Sequence, residues 1–146
     1  MKNRACFIST FLACCCLLFN VSAGAESLAV QNAQGINYVT GGVGEDEVEE
    51  IRALIPQYSL RVIFSEGVSG RSATDVNVTI YDTMKKIVLN VESAQPQLLV
   101  NLPAGKYKIV ADLNGEKQSH PFTISANAHK KIILNWKSSV EDEQVE

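Results

Sequence analysis

The chain has 146 residues, of which 46% are hydrophobic and 20% charged, and its formal net charge is −3 at pH 7. A chain of this length supports one hydrophobic core, which leaves no room for a separate catalytic domain beside it. An acidic balance without a basic run disfavours binding to nucleic acid or to an anionic membrane surface, and we exclude both as partners.

The N-terminal residues have the pattern of a signal peptide. Lys2 and Arg4 precede an apolar run over residues 5–19, and small residues follow it at the spacing that a signal peptidase requires. The run is shorter than the roughly 20 residues that span a bilayer, so the pattern favours cleavage over a membrane anchor. The sequence therefore predicts export, with a periplasmic or secreted location.

We expect residues 1–25 to be removed by cleavage between Ala25 and Glu26, after which no membrane span remains. Cleavage after Ala23, or retention of the segment, are the alternatives. A lipoprotein is another alternative because Cys14 follows a small residue, but the apolar residues after Cys14 are not typical of a mature lipoprotein.

All four cysteines lie within residues 1–25. The exported chain would therefore hold no disulfide, no cysteine-ligated zinc and no cysteine nucleophile, although its compartment would permit disulfides. Its stability must come from apolar burial, and we predict no cofactor.

Residues 26–57 are expected to precede the folded domain, beginning with a short polar leader over residues 26–35. Residues 36–44 then combine β-type side chains with three glycines. One interpretation is a partner-binding loop. The other is a segment that leads into a helix, a common place for glycine. The candidate partner-binding residues are Tyr38, Val39, Thr40, Gly41 and Gly42.

A helix is predicted over residues 45–55. Val48, Ile51 and Ile55 recur at helical spacing, acidic residues fill the first turns, and Pro56 ends the pattern. The composition of this acidic cluster could suggest a metal or acid–base site. A solvent-exposed helix face explains the same residues without such a site, and we favour that interpretation.

From residue 58 onward the apolar pattern alternates with period two, which predicts about seven short strands over residues 58–137. Short strands separated by turns are typical of an antiparallel β-sandwich. The final residues, 138–146, are acidic and lack aromatic side chains, and we expect them to be a disordered tail.

Two turns organise the second half of this pattern. Pro103 and Gly105 lie between two alternating segments and predict a hairpin over residues 98–111. Asn114-Gly115 is a stronger signal, because both residues tolerate the left-handed backbone of a two-residue turn. That turn would place three pairs of residues opposite each other: Asp112 and Lys117, Tyr107 and Phe122, and Ile109 and His120.

Residues 102–111, LPAGKYKIVA, resemble the LPxGxYxVxA signature of carboxypeptidase regulatory-like domains. The resemblance covers residues 59–136 and implies a transthyretin-like sandwich of about seven strands, here preceded by one short helix. In the carboxypeptidases this domain is an accessory beside the catalytic domain. The resemblance therefore implies a fold and no activity.

The remaining chemistry-bearing residues do not form a recognisable catalytic or metal site. His120 and His129 are the only histidines, and two ligands are too few for structural zinc. No Gly-x-Ser-x-Gly motif or phosphate loop is present, so we predict no catalytic residues and no enzyme activity. Trp136 ends an apolar strand face, which favours packing over a sugar platform.

The sequence thus supports a non-enzymatic exported module that binds another envelope protein, through residues 38–44 or through an exposed sheet edge. The alternative is a carbohydrate-binding module, with a glycan as its ligand. That alternative requires at least two exposed aromatic side chains in one platform, drawn from Tyr38, Tyr58, Tyr81 and Trp136.

Overall fold

The computed structural model describes residues 28–137, which form two β-sheets packed face to face and one short helix. The predicted β-sandwich is confirmed. Residues 1–25 and 138–146, predicted to be the signal peptide and the tail, lie outside the described residues. The elements are β1 (Gln31–Ala33), β2 (Ile36–Gly41), α1 (Glu45–Leu54), a 3-10 turn (Ile55–Gln57), β3 (Leu60–Glu66), β4 (Arg71–Ser72), β5 (Val76–Asp82), β6 (Ile87–Ala94), β7 (Gln97–Val100), β8 (Gly105–Leu113), β9 (Glu116–Ile124) and β10 (Lys130–Trp136).

The first sheet, sheet A, has the strand order β1-β2-β7-β3-β10, with β4 paired to β3. The second, sheet B, has the order β6-β5-β8-β9. Neighbouring strands are antiparallel except β3 and β10, which run parallel with Lys130 opposite Leu60. This parallel pairing places the last described strand at an edge of sheet A.

The core lies between the sheets and is built from alternate residues of each strand. Leu60, Val62 and Phe64 of β3 are fully buried there. Trp136 is buried as predicted, with its ring centroid 6.4 Å from that of Phe64. Its indole Nε1 donates a hydrogen bond to the Glu116 carbonyl at 2.9 Å, so the polar end of the ring is satisfied.

Helix α1 covers part of the outer face of sheet A. Ile51 is fully buried against Val39, Leu99 and Tyr58. This second apolar cluster explains why β7 is buried on both faces and reads as a continuous apolar run. The helix ends at Leu54, one residue before the predicted end. In the described part of the chain, no helix is long and apolar enough to span a membrane.

Strands β1 and β2 belong to the sandwich, whereas the sequence placed these residues ahead of the folded domain. Strand β2 lies between β1 and β7 in sheet A. The hairpin turns at Gln34 and Gly35, with φ values of 54° and 82°. Glutamine is uncommon at such a turn, and the strand signal of β1 is only three residues long, so the hairpin was not predicted.

The predicted hairpin over residues 98–111 is wrong. Strand β7 pairs with β2 and β3 in sheet A, while β8 pairs with β5 and β9 in sheet B. The Pro103–Gly105 turn therefore carries the chain from one sheet to the other. Its two strands share the same core, because Leu98, Val100, Ile109 and Ala111 are all buried, but they exchange no ladder hydrogen bonds.

The Asn114–Gly115 hairpin is confirmed together with its register. Asn114 and Gly115 have φ values of 52° and 90°. Asp112 lies opposite Lys117, and the two other predicted pairs are also formed. The Tyr107 and Phe122 rings stack with their centroids 5.7 Å apart.

Candidate partner-binding surface

The candidate residues Tyr38 to Gly42 lie in β2 and directly after it. Tyr38, Val39 and Gly41 are buried, and Thr40 is half-buried. The Thr40 hydroxyl donates to the Gln97 carbonyl at 3.1 Å and accepts from the Gln95 N–H at 2.8 Å. The segment pairs with β7 from Tyr38 to Gly41, and with β1 only at Tyr38. Its side chains are therefore largely buried or hydrogen-bonded within the domain.

The glycines after β2 lead into helix α1. The Glu47 carboxylate, in the first turn of the helix, accepts hydrogen bonds from the backbone N–H groups of Gly42 at 3.0 Å and Val43 at 2.9 Å. Gly42 has φ 98°, and a Cβ there would lie 3.2 Å from the Gln97 side chain. These contacts give the segment a structural role at the start of the helix. Partner binding by Tyr38 to Gly42 stays a prediction.

The two histidines lie in different parts of the fold, His120 in β9 and His129 in the turn before β10. His120 is exposed on β9, and His129 Nδ1 is 2.7 Å from the Tyr58 carbonyl oxygen. Within residues 28–137, no group of three His, Cys, Asp or Glu side chains is placed to hold a metal ion.

The four aromatic side chains required for a sugar platform are not brought together on the surface. Tyr38, Tyr58 and Trp136 are buried, and Tyr81 is half-buried on the outer face of sheet B. Burial also raises the pKa of Tyr58. The criterion set for the carbohydrate-binding alternative is therefore not met by these residues.

In the described part of the chain, the strand orders of the two sheets end in β1 and β10 and in β6 and β9, and three of these four strands are obstructed. Strand β1 is only three residues long. Strand β6 is irregular, with two register shifts against β5. Strand β9 carries Pro121, which has no N–H to offer to a further strand. Short, irregular or proline-containing strands are how natural sheets protect their edges.

Strand β10 is the fourth edge, and it is seven residues long with no register shift against β3. The Lys130 N–H donates to the Ser59 carbonyl at 2.8 Å, and the Trp136 carbonyl accepts from the Gly67 N–H at 2.8 Å. Even-numbered residues of β10 thus direct their backbone groups toward β3. In a parallel ladder the odd-numbered residues then direct theirs away from it.

The outward-directed backbone groups of β10 are those of Lys131, Ile133 and Asn135. The Asn135 carbonyl is already occupied, because it accepts a hydrogen bond from Gln118 Nε2 at 2.7 Å. This bond closes one end of the edge and leaves the N–H and C=O groups of Lys131 and Ile133 facing outward. We refer to these four backbone groups as the open edge.

The side chains beside the open edge form a small mixed surface on the outer face of sheet A, which we name the β3–β10 face. It consists of Arg61 and Ile63 from β3 and their register partners Lys131 and Ile133 from β10. Ile133 is 58% exposed, Lys131 is exposed, and Arg61 and Ile63 are half-buried. An apolar pair thus lies beside a cationic pair.

Gln97 holds Arg61 in a fixed orientation. The Gln97 side-chain Oε1 accepts hydrogen bonds from Arg61 Nε at 3.1 Å and Nη2 at 2.8 Å. Gln97 is only 9% exposed, so this contact is sheltered from water. Within residues 28–137, no carboxylate forms an ion pair with Arg61 or Lys131.

No protein-family model matches the chain, and no curated protein matches its sequence. Among solved structures, the chain is similar to the Bacillus anthracis TIE protein, at 20% sequence identity and a TM-score of 0.43. The alignment covers 54% of this chain and 17% of that protein. A likeness of this extent is compatible with a β-sandwich and carries no argument about function.

Proposed function

We propose that this chain is an exported, non-enzymatic module of the cell envelope that binds another protein. In this proposal, the partner protein supplies an extended strand that pairs with the edge of sheet A. The observation that carries the proposal is the open edge of β10. It presents four backbone groups beside an exposed isoleucine, whereas the other edge strands are short, irregular or contain proline. Strand addition draws its affinity from backbone hydrogen bonds of this kind.

Export and family membership are parts of the same proposal. Export is supported by the basic, apolar and small-residue order of residues 1–25. Membership of the carboxypeptidase regulatory-like domains is supported by the signature at residues 102–111 and by the two-sheet sandwich. An accessory domain of that kind would act by binding, which agrees with a role for the sheet edge.

Site-specific crosslinking tests the proposal directly. The full precursor is expressed with a photo-crosslinking amino acid at position 133, or at the exposed position 123 of β9 as the matched control. Irradiation of intact cells is expected to join a defined protein to position 133 and not to position 123. Equal crosslinking at both positions, or none at 133, would contradict binding at the β10 edge.

Two substitutions at the same residue separate the backbone from the side chain. Ile133→Pro removes an outward-facing N–H without removing a bond to β3, so it should abolish co-purification of the crosslinked partner. Ile133→Thr retains the N–H and should preserve part of the binding. Retention of the partner by Ile133→Pro, with the fold unchanged by circular dichroism, would show that strand addition is not the mode of binding.

A further inference from the structure

We infer that the strand accepted at β10 carries a carboxylate two residues from an apolar side chain, so that it matches the β3–β10 face. The inference rests on the proposed function, since it specifies the partner of the same edge. It concerns side-chain recognition, whereas strand addition alone would accept any extended sequence.

The register of the added strand follows from the pleat of β10. Lys131 and Ile133 are two residues apart and lie on the same face, about 7 Å from each other along the strand. In either direction, a strand paired with the open edge has one residue beside Ile133 and another, two positions away, beside Lys131. Both of these residues face the same side as the β3–β10 face.

The apolar position is set by Ile63 and Ile133. These residues are register partners on adjacent strands, and Ile133 is 58% exposed. An added strand would place a third side chain in this row and would cover part of the exposed Ile133. A β-branched or aromatic residue fits such a row best, because these side chains pack well between neighbouring strands.

The acidic position is set by Lys131, which is exposed on the edge strand itself. Gln97 already binds the Nε and Nη2 atoms of Arg61, and within the described chain the Nη1 group donates to no other atom. Gln97 lies on β7, on the side of β3 that faces away from β10, so the guanidinium is held toward β7. A carboxylate beside Lys131 would therefore meet the Lys131 ammonium group directly and the Arg61 charge only from two strands away. A lysine at that position would be repelled by Lys131.

Two peptides and two variants test the inference. The probes are fluorescein-labelled eight-residue peptides with the central sequence Thr-Val-Thr-Glu-Thr or Thr-Val-Thr-Lys-Thr, titrated with the full chain and followed by fluorescence anisotropy. We expect the glutamate peptide to bind about threefold to tenfold more tightly, because the exchange replaces attraction to the exposed Lys131 with repulsion. Lys131→Glu should abolish or reverse that preference.

Lys130→Glu is the matched control. It makes the same change of charge one residue away, but Lys130 is on the other face of β10 and pairs in register with the buried Leu60. We expect Lys130→Glu to keep most of the preference for the glutamate peptide. An equal loss in both variants would indicate general electrostatic attraction and would overturn the inference, as would equal binding of the two peptides to the unmodified chain.

The outcomes also separate the inference from the proposed function. Crosslinking at position 133 together with no discrimination between the peptides would retain strand addition and refute the acidic match. A preference for the glutamate peptide that depends on Lys131, together with unchanged partner co-purification by Ile133→Pro, would retain the acidic site and refute strand addition.

Discussion

Replacing Glu47 with alanine tests whether helix α1 holds the Gly-rich segment in place. The Glu47 carboxylate accepts the N–H groups of Gly42 and Val43 at 3.0 and 2.9 Å. Both hydrogen bonds are charge-assisted, and the carboxylate also interacts favourably with the dipole of the first helical turn. Because the site is near solvent, water replaces part of what is lost. We therefore expect Glu47→Ala to lower the free energy of unfolding by about 1–3 kcal/mol.

Urea unfolding followed by Trp136 fluorescence measures this loss. Glu45→Ala is the matched control, since Glu45 is exposed in the same helical turn and makes no hydrogen bond through its side chain to the described residues. It should cost about 0.3–1 kcal/mol through the dipole alone. Glu47→Gln, which keeps an acceptor oxygen, should fall between the two. Equal losses for Glu45→Ala and Glu47→Ala would refute the structural role assigned to the carboxylate.

Three further predictions concern the helix, the buried tyrosine and the N-terminus. Ile51→Ala should lower the free energy of unfolding by about 2–5 kcal/mol in urea titrations, because a fully buried side chain is removed from between α1 and sheet A. Burial raises the pKa of Tyr58, so its protonated phenol stabilises the fold fully below about pH 10, and this contribution is lost as pH rises through the folded-state pKa. Tyr58→Phe should therefore reduce the decline in melting temperature between pH 9 and 11. Mass spectrometry of the exported protein should give a chain that begins at Glu26, whereas the intact precursor mass would contradict cleavage.

Features that depend on neighbouring residues could be predicted from the sequence. Asn114 and Gly115 both adopt positive φ, and the hairpin they close has the predicted register over nine residue pairs. A two-residue turn leaves the strands no other alignment, so local chemistry determines the pairing. The burial of Trp136 followed in the same way from the period of its own strand.

The turn at Pro103 to Gly105 shows where local chemistry is insufficient. Proline and glycine specify that the chain turns, but they do not specify which strand lies beside it afterwards. Strand β7 pairs with β2 and β3, and β8 pairs with β5 and β9, because each has an apolar face that the core buries. A hairpin and a crossing between sheets bury the same residues, so periodicity alone could not separate them.

The β3–β10 face could not be predicted because its parts are distant in the sequence. Arg61 and Gln97 are 36 positions apart, and Arg61 meets Lys131 only through the parallel pairing of β3 and β10. Sequence reasoning named exposed sheet edges as a class without identifying one. The available signal was the alternation of Lys131 and Ile133 with the buried residues of β10, which places both side chains on the outer face.

The lysines of β10 have a second explanation that needs no partner. Charged side chains on an edge strand prevent unwanted pairing between sheets, and Lys130 and Lys131 could serve that purpose. Protection of that kind depends on charge at the edge and not on the face that carries it. The two lysines would then be interchangeable, and each glutamate variant would change peptide binding equally. Recognition instead requires Lys131, because only that residue shares a face with Ile133 and Arg61. The difference in peptide preference between Lys130→Glu and Lys131→Glu therefore decides whether the lysines only prevent strand pairing at this edge or recognise a partner strand.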